Sequence, residues 1–260
     1  KKALWLVLIL QIVLLAAHAD ELKINDNSGS SNQEKPSIAL HPNGPAVICW
    51  QDERDGNPSV YMQMFTRRGM PFLANTRVSE LDGAQGHYQP DVAMDGNGRF
   101  VITWTELRDD ITEVFFQRFW ANGVPFRPAE KVPDNSHLYF NSGAKVASAS
   151  SGHFIIVWYN NYTDVYAKLF APSGYAIGND IIVHPPADDA QIIPDVAIHD
   201  DLTFMVVWED RRSGTSRIWG RLFNENSEPI AEPFEISDHE EGDHVCLYPT
   251  IAAGQNGEYL

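Results

Sequence analysis

Apolar and polar positions follow one pattern along this chain, and the pattern is written four times. Its clearest copy, residues 204–223, reads FMVVWEDRRSGTSRIWGRLF: an apolar run ending in Trp, a charged turn, and a second run ending in Phe. Earlier copies occupy residues 46–65, 100–119 and 154–170. The run before the Trp is apolar at nearly every position, as in Phe154-Ile155-Ile156-Val157-Trp158, which predicts a strand covered on both faces. The run after the turn alternates, as in Val165-Tyr166-Ala167-Lys168-Leu169-Phe170, and predicts a second strand. Fourteen residues ahead of each Trp a further short segment begins, at Pro36, Pro90, Ala144 and Pro194, and a Gly-bearing turn joins it to the run that ends in Trp. Turns around Gly69, Gly123 and Gly174 introduce a weaker fourth strand ending near Val78, Val132, Val183 or Ile236. No helical period of useful length follows the first twenty residues.

The anchors Trp50, Trp104, Trp158 and Trp208 lie 54, 54 and 50 residues apart. Units of about fifty residues with four antiparallel strands, each needing a neighbour on both sides, are the blades of a β-propeller. An open β-solenoid is the structural rival, but its coils are shorter. The expected fold class is therefore all-β, a β-propeller of four-stranded antiparallel blades, with four complete repeats and the start of a fifth at Pro249. The spacing puts the Trp of that fifth unit three positions beyond Leu260, so the chain is expected to stop inside a repeat, and the lack of an initiator Met suggests a clipped front. Residues 21–26 match the unit endings, with Ile24 twelve before Pro36 as Val78 is before Pro90. They are predicted to form an orphan fourth strand that closes the ring on the last blade.

The domain division follows from the chain's beginning. Residues 1–19 carry two lysines, an apolar run broken only by Gln11, and Ala17-His18-Ala19, the layout of a signal peptide cleaved after Ala19. The rival reading, an uncleaved anchor, needs a longer run of roughly 20 residues. Residues 20–260 form the partial propeller. Export to the extracellular space or cell surface is the expected location, with the periplasm as the second compartment, and membrane contact is limited to the signal peptide during export. A net charge of −16 repels phosphate backbones, which excludes nucleic acid as a partner. Cys49 and Cys246 sit in distant repeats and are expected to be free thiols rather than a disulfide.

The stretch VVWEDRRSG at residues 206–214, with the strand and Gly-x-Pro turn that follow, resembles the repeats of large exported bacterial propellers described as sialidase-like or cell-surface repeat proteins. The resemblance covers residues 21–260 and concerns architecture, since one propeller scaffold hosts many functions. Sialidase Asp-box turns are missing: Asp95-Gly96-Asn97-Gly98 lacks the Ser and the Thr-Trp of that motif. The Trp-Asp ending of WD40 blades is missing too.

Candidate chemistry gathers on one face. In an up-and-down blade, the turn after the second strand and the long link between units emerge at the same end. An acid two residues after Trp and an arginine four after it recur as Asp52/Arg54, Glu106/Arg108 and Asp210/Arg212, while the third unit has Asn160/Tyr162. Such arginines either pair with the acid of their own blade or, as the sialidase resemblance implies, form a ring gripping a carboxylate. Repetition from blade to blade favours the first. The long links differ most between units and hold His87, Tyr88, His137, Tyr139, His184 and His244. The ligand-binding candidates are thus Arg54, Arg108, Arg212, His87, Tyr88 and Tyr139; no catalytic residue or metal ligand is assigned. No cofactor is expected. Calcium is the ion that the loop 237–244 would suit, but its carboxylates lack the regular spacing of a calcium loop. Aromatic pairs four apart on the third strand, such as Tyr61/Phe65, could stack on sugars but are expected to pack between blades.

The reading that follows is a non-enzymatic binding or surface module recognising a glycan or an extracellular protein through the long-loop face. A sialidase-like glycoside hydrolase is the alternative, and an architectural spacer the third.

Overall fold

A computed structural model of the chain describes residues 22–80, 83–132, 140–185, 190–212, 214–237, 245–254 and 256–260. The signal-peptide residues, Tyr139, His137 and the acidic loop 238–244 lie outside them. Sixteen strands among the described residues form four antiparallel sheets, each read in chain order from one edge to the other. Unit 1 holds β1 (Gln33–Leu40), β2 (Ala46–Asp52), β3 (Ser59–Phe65) and β4 (Pro71–Arg77). Unit 2 holds β5 (Gly86–Met94), β6 (Phe100–Arg108), β7 (Ile111–Phe119) and β8 (Glu130–Lys131). Unit 3 holds β9 (Asn141–Ser148), β10 (Phe154–Asn160), β11 (Asp164–Phe170) and β12 (Ala176–Ile182). Unit 4 holds β13 (Gln191–Ile198), β14 (Phe204–Asp210), β15 (Arg217–Phe223) and β16 (Phe234–Glu235). Of these, β8 and β16 are two residues long, because Pro128 and Pro233 interrupt the segments leading to them and proline cannot donate to a ladder.

The units stack face to face through the second strands. Trp104 lies in one apolar cluster with Val47, Cys49, Val60 and Met62 of the unit before it. Trp158 does the same with Val101, Val114 and Phe116, and Trp208 with Ile155, Val157 and Val165. Every one of these indoles therefore packs backward, onto the preceding unit. The third-strand aromatics sit beside them: Trp104 stacks on Phe115 at 6.3 Å between ring centres, Trp158 on Tyr166 at 5.7 Å, and Phe204 on Phe223 at 4.9 Å. The aromatic pairs on the third strand are thus packing residues, as the repetition suggested. Cys49 is buried in this packing, Cys246 is half-buried, and both are free thiols.

The first strands β1, β5, β9 and β13 neighbour one another around an axis. Side chains there tie units 1, 2 and 4 to the one that follows: Val92 N–H donates to Ser37 Oγ at 3.4 Å, Val146 N–H to Asp91 at 2.9 Å, and Ile251 N–H to Asp195 at 2.9 Å. Lys145 occupies the third position and cannot accept, so Val196 N–H turns to the Asp195 carboxylate beside it.

Residues 22–26 correct one expectation. They do not form a strand; Asn75 Nδ2 donates to Ile24 C=O, and Asp26 N–H donates to Asn75 Oδ1. Val78, Val132, Val183 and Ile236 at the matching places donate to a carbonyl of their own third strand, whereas Ile24 lies with Ile48 and Trp50 along a groove on unit 1. The fifth start does continue the pattern: Ala252 and Leu260 exchange two backbone bonds of 2.9 Å in an antiparallel turn.

Candidate functional site

Each first strand carries a bulge just before its Pro or Ala. The register slips between Glu34 and Ser37, Tyr88 and Asp91, Ser142 and Lys145, and Ile192 and Asp195. The bulge residues Lys35, Gln89, Gly143 and Ile193 have φ of 54°, 51°, 64° and 51°, and Tyr248 repeats this at 56° in the fifth start. A left-handed conformation at a β-branched residue such as Ile193 costs on the order of 1–3 kcal/mol and persists only where the surroundings enforce it. Bulges re-aim side chains, and here they turn the residues beside them toward the axis.

On the end of the axis where the second-strand turns and the long links emerge, a cavity of about 460 Å³ opens. Units 1, 2 and 3 build it: Glu34, Gln51 and Glu53; Tyr88, Gln89 and Thr105; Ser142, Tyr159 and Tyr162. Glu34 Oε1 accepts from Gln51 Nε2 at 3.2 Å, and Glu53 Oε2 from Asn32 Nδ2 at 3.0 Å. The ring of Tyr159 lies over Gly143, where any Cβ would collide with it. Burial, helped by the neighbouring Tyr162 phenol, pushes the Tyr159 hydroxyl up to about 12. Tyr162 stands 5.3 Å from Tyr159 between ring centres, tilted by 44°.

The candidates from sequence fall in three places. Tyr88 lines the cavity. His87, one residue earlier on the strand, points away from it: its ring is buried edge-on to Trp104 and its Nε2 lies 3.3 Å from Glu106. The three arginines each bind the acid of their own unit, and Arg54 also reaches Asp26 of the N-terminal segment at 2.5 Å. Arg54 Nη2 donates to Asp52 at 2.7 Å and to Asn75 of the last strand in its sheet at 3.2 Å, and the guanidinium lies 4.3 Å over the Tyr61 ring. Arg212 grips Asp210 with two nitrogens and lies 4.5 Å over Trp219. Arg108 binds Glu106 Oε1 at 2.9 Å. Burial raises the Asp52 and Asp210 carboxyls, but bonds from the arginine and the indole outweigh it and hold both below the ordinary carboxylate value. Tyr139 lies outside the described residues, as does the calcium candidate loop.

His184 caps the end of β11. Its Nε2 accepts from Val165 N–H at 3.2 Å and its Nδ1 donates to Pro185 C=O at 2.8 Å, the place that Ser79 and Ser237 Oγ take toward Val60 and Ile218. Burial lowers its pKa below the ordinary 6.5. The neutral ring's contribution is complete above the unfolded value of about 6.5 and is lost as pH falls toward the lower folded value. Melting curves of His184→Ser against the parent should therefore converge as the pH drops from 7.5 to 5; a constant gap would contradict this role.

Apart from Tyr88, sequence reasoning missed the wall of the cavity. Its signal is the residue directly after the Trp and the one before the bulge in units 1 to 3: Gln51, Thr105 and Tyr159; Glu34, Tyr88 and Ser142. These change from unit to unit while their neighbours repeat.

No protein-family model matches the chain, and no curated protein matches it. Solved structures do. An α-L-arabinanase of Penicillium chrysogenum, solved with arabinobiose, superposes with a TM-score of 0.57 at 15% identity, covering 87% of this chain and 74% of that one. The GH93 α-L-arabinofuranosidase of Fusarium graminearum gives 0.57 at 13%, covering 87% and 73%. A Hadza microbial sialidase gives 0.55 at 12%, covering 75% of this chain and 45% of that chain. The fold is a β-propeller. Its four-stranded blades were legible in the sequence, and the scaffold is similar in fold to that of a sialidase. The expectation of a non-enzymatic binding or display module does not: these neighbours of the propeller are named for glycan-processing activities, and they favour the glycoside-hydrolase alternative.

Proposed function

We propose that this propeller is an exported glycoside hydrolase whose glycan enters the cavity on the long-link face. The observation that carries the reading is the convergence there of two carboxyl groups, Glu34 and Glu53, with the aromatic surfaces of Tyr88, Tyr159 and Tyr162. Hydrolysis of a glycosidic bond needs one carboxylic acid to protonate the leaving oxygen and one carboxylate to act as base or nucleophile on the opposite side of the sugar. Glu34 and Glu53 are the pair assigned to those roles. The fold shared with an arabinanase and an arabinofuranosidase supports a glycan as partner, and the pattern up to Ala19 supports export.

The test is turnover of arabino-oligosaccharides and aryl glycosides. Glu34→Gln and Glu53→Gln are each expected to lower kcat at least about a hundredfold, the size of a general acid or base contribution. Melting temperature should hold, since neither carboxylate is buried. A parent without turnover on any member, or variants as active as the parent, would refute the assignment.

A further inference from the structure

Resting on the reading of this cavity as a glycan site, we infer that it takes a neutral saccharide and discriminates against sugars bearing a carboxylate, with Tyr159 and Tyr162 as the surface on which a sugar ring lies. Three observations lead there.

The first is charge. Two carboxylates, Glu34 and Glu53, face the cavity against one ammonium, Lys35. Recognition of an anionic sugar calls for a guanidinium presenting two N–H groups to the incoming carboxylate. Arg54 and Arg212 are instead committed to buried aspartates and laid on third-strand aromatics, and Arg108 is bound to Glu106.

The second is the polar lining. Gln51, Gln89, Thr105 and Ser142 are amides and hydroxyls, groups that read sugar hydroxyls by donating and accepting in turn. Thr105 is 2% exposed, and among the described residues its Oγ1 has no hydrogen-bond partner. A buried hydroxyl left unmatched costs free energy until something supplies the bond.

The third is backbone strain. The turn closed by Thr163 N–H on Asn160 C=O puts Asn161 and Tyr162 at φ of 46° and 59°. Glycine is the stable choice at the second of these positions, since Asn-Gly is the favoured pair for such a turn. A tyrosine there keeps a 62% exposed ring at the cavity wall, against its own backbone preference. Strain of this kind clusters where a side chain serves a ligand.

Calorimetric titration with matched pairs tests the inference: α-1,4-galactobiose against α-1,4-digalacturonate, and lactose against 3′-sialyllactose, with arabinobiose as a further neutral probe. At least one neutral sugar should bind. Acidic counterparts should bind about tenfold more weakly at low salt, the gap narrowing as salt screens the glutamates. Tyr162→Gly should weaken neutral binding about tenfold while raising Tm by about 2–4 °C as the turn relaxes. An acidic sugar binding as tightly as its neutral partner would overturn the inference. So would unchanged affinity in Tyr162→Gly, or no neutral sugar binding at all. Neutral binding without turnover would remove the hydrolase reading and leave this one standing; turnover confined to acidic glycans would do the reverse.

Discussion

Trp104→Ala is expected to destabilise the propeller by about 3–5 kcal/mol, the range for emptying a fully buried large aromatic site. The indole is 1% exposed and is surrounded by two units, with Val47, Cys49 and Met62 on one side and Ile102 and Phe119 of its own sheet on the other. This position reports packing in a way that Trp50 and Trp208 do not. Trp50 and Trp208 donate to Asp52 and Asp210 at 2.8 and 3.2 Å, so truncating either removes a hydrogen bond as well as a ring. In the second unit the acid is Glu106, whose longer side chain reaches His87 and Arg108, and among the described residues the Trp104 N–H meets no acceptor. Equilibrium unfolding in urea measures the cost. A change below about 1 kcal/mol would show that the inter-blade face can collapse around the loss.

A loss of about 2–3 kcal/mol is expected from Asp210→Ala, for an electrostatic reason. The Asp210 side chain is fully buried and accepts from the Arg212 guanidinium, from Arg212 N–H and from Trp208 Nε1. Removing the buried carboxylate strands the Trp208 N–H and leaves the one-third-exposed Arg212 guanidinium to be met partly by water, which keeps the cost below that of breaking a fully buried pair. Asp210→Asn should cost less, because the third blade already carries Asn160 at this place, its amide donating to Asn141 at 3.0 Å. The sign with pH follows from the depressed carboxyl. Its contribution is complete above the ordinary carboxylate value of about 4 and is lost as pH falls through the lower folded value. The gap between parent and Asp210→Ala should therefore shrink below pH 4, and a gap that widens in acid would contradict the assignment.

How much of this was readable from sequence differs between scaffold and site, and the reason is physical. A blade must be covered on both faces by its neighbours, so the apolar run before each Trp is forced to repeat, and repetition is visible without coordinates. The acid and arginine after the Trp repeat for the same reason: Asp52/Arg54 and Asp210/Arg212 fasten a turn within one blade. A ligand at the axis touches several blades at once, each from a different angle. Its contacts therefore fall on residues that do not repeat, such as Glu34, Thr105 and Tyr159, and those carry no periodic signal. The bulge was hidden as well, since nothing in Lys35-Pro36 or Ile193-Pro194 announces a left-handed residue.

The backward direction of the tryptophans bears on how the protein is made. A chain leaving the ribosome exposes its N-terminal blade first, and each later indole then finds an oily wall already waiting. Assembly can proceed by accretion, one wedge at a time, without a search for distant partners. Pulled from the C-terminal end, the same polarity would peel the newest wedge away first and leave its predecessor's wall bare.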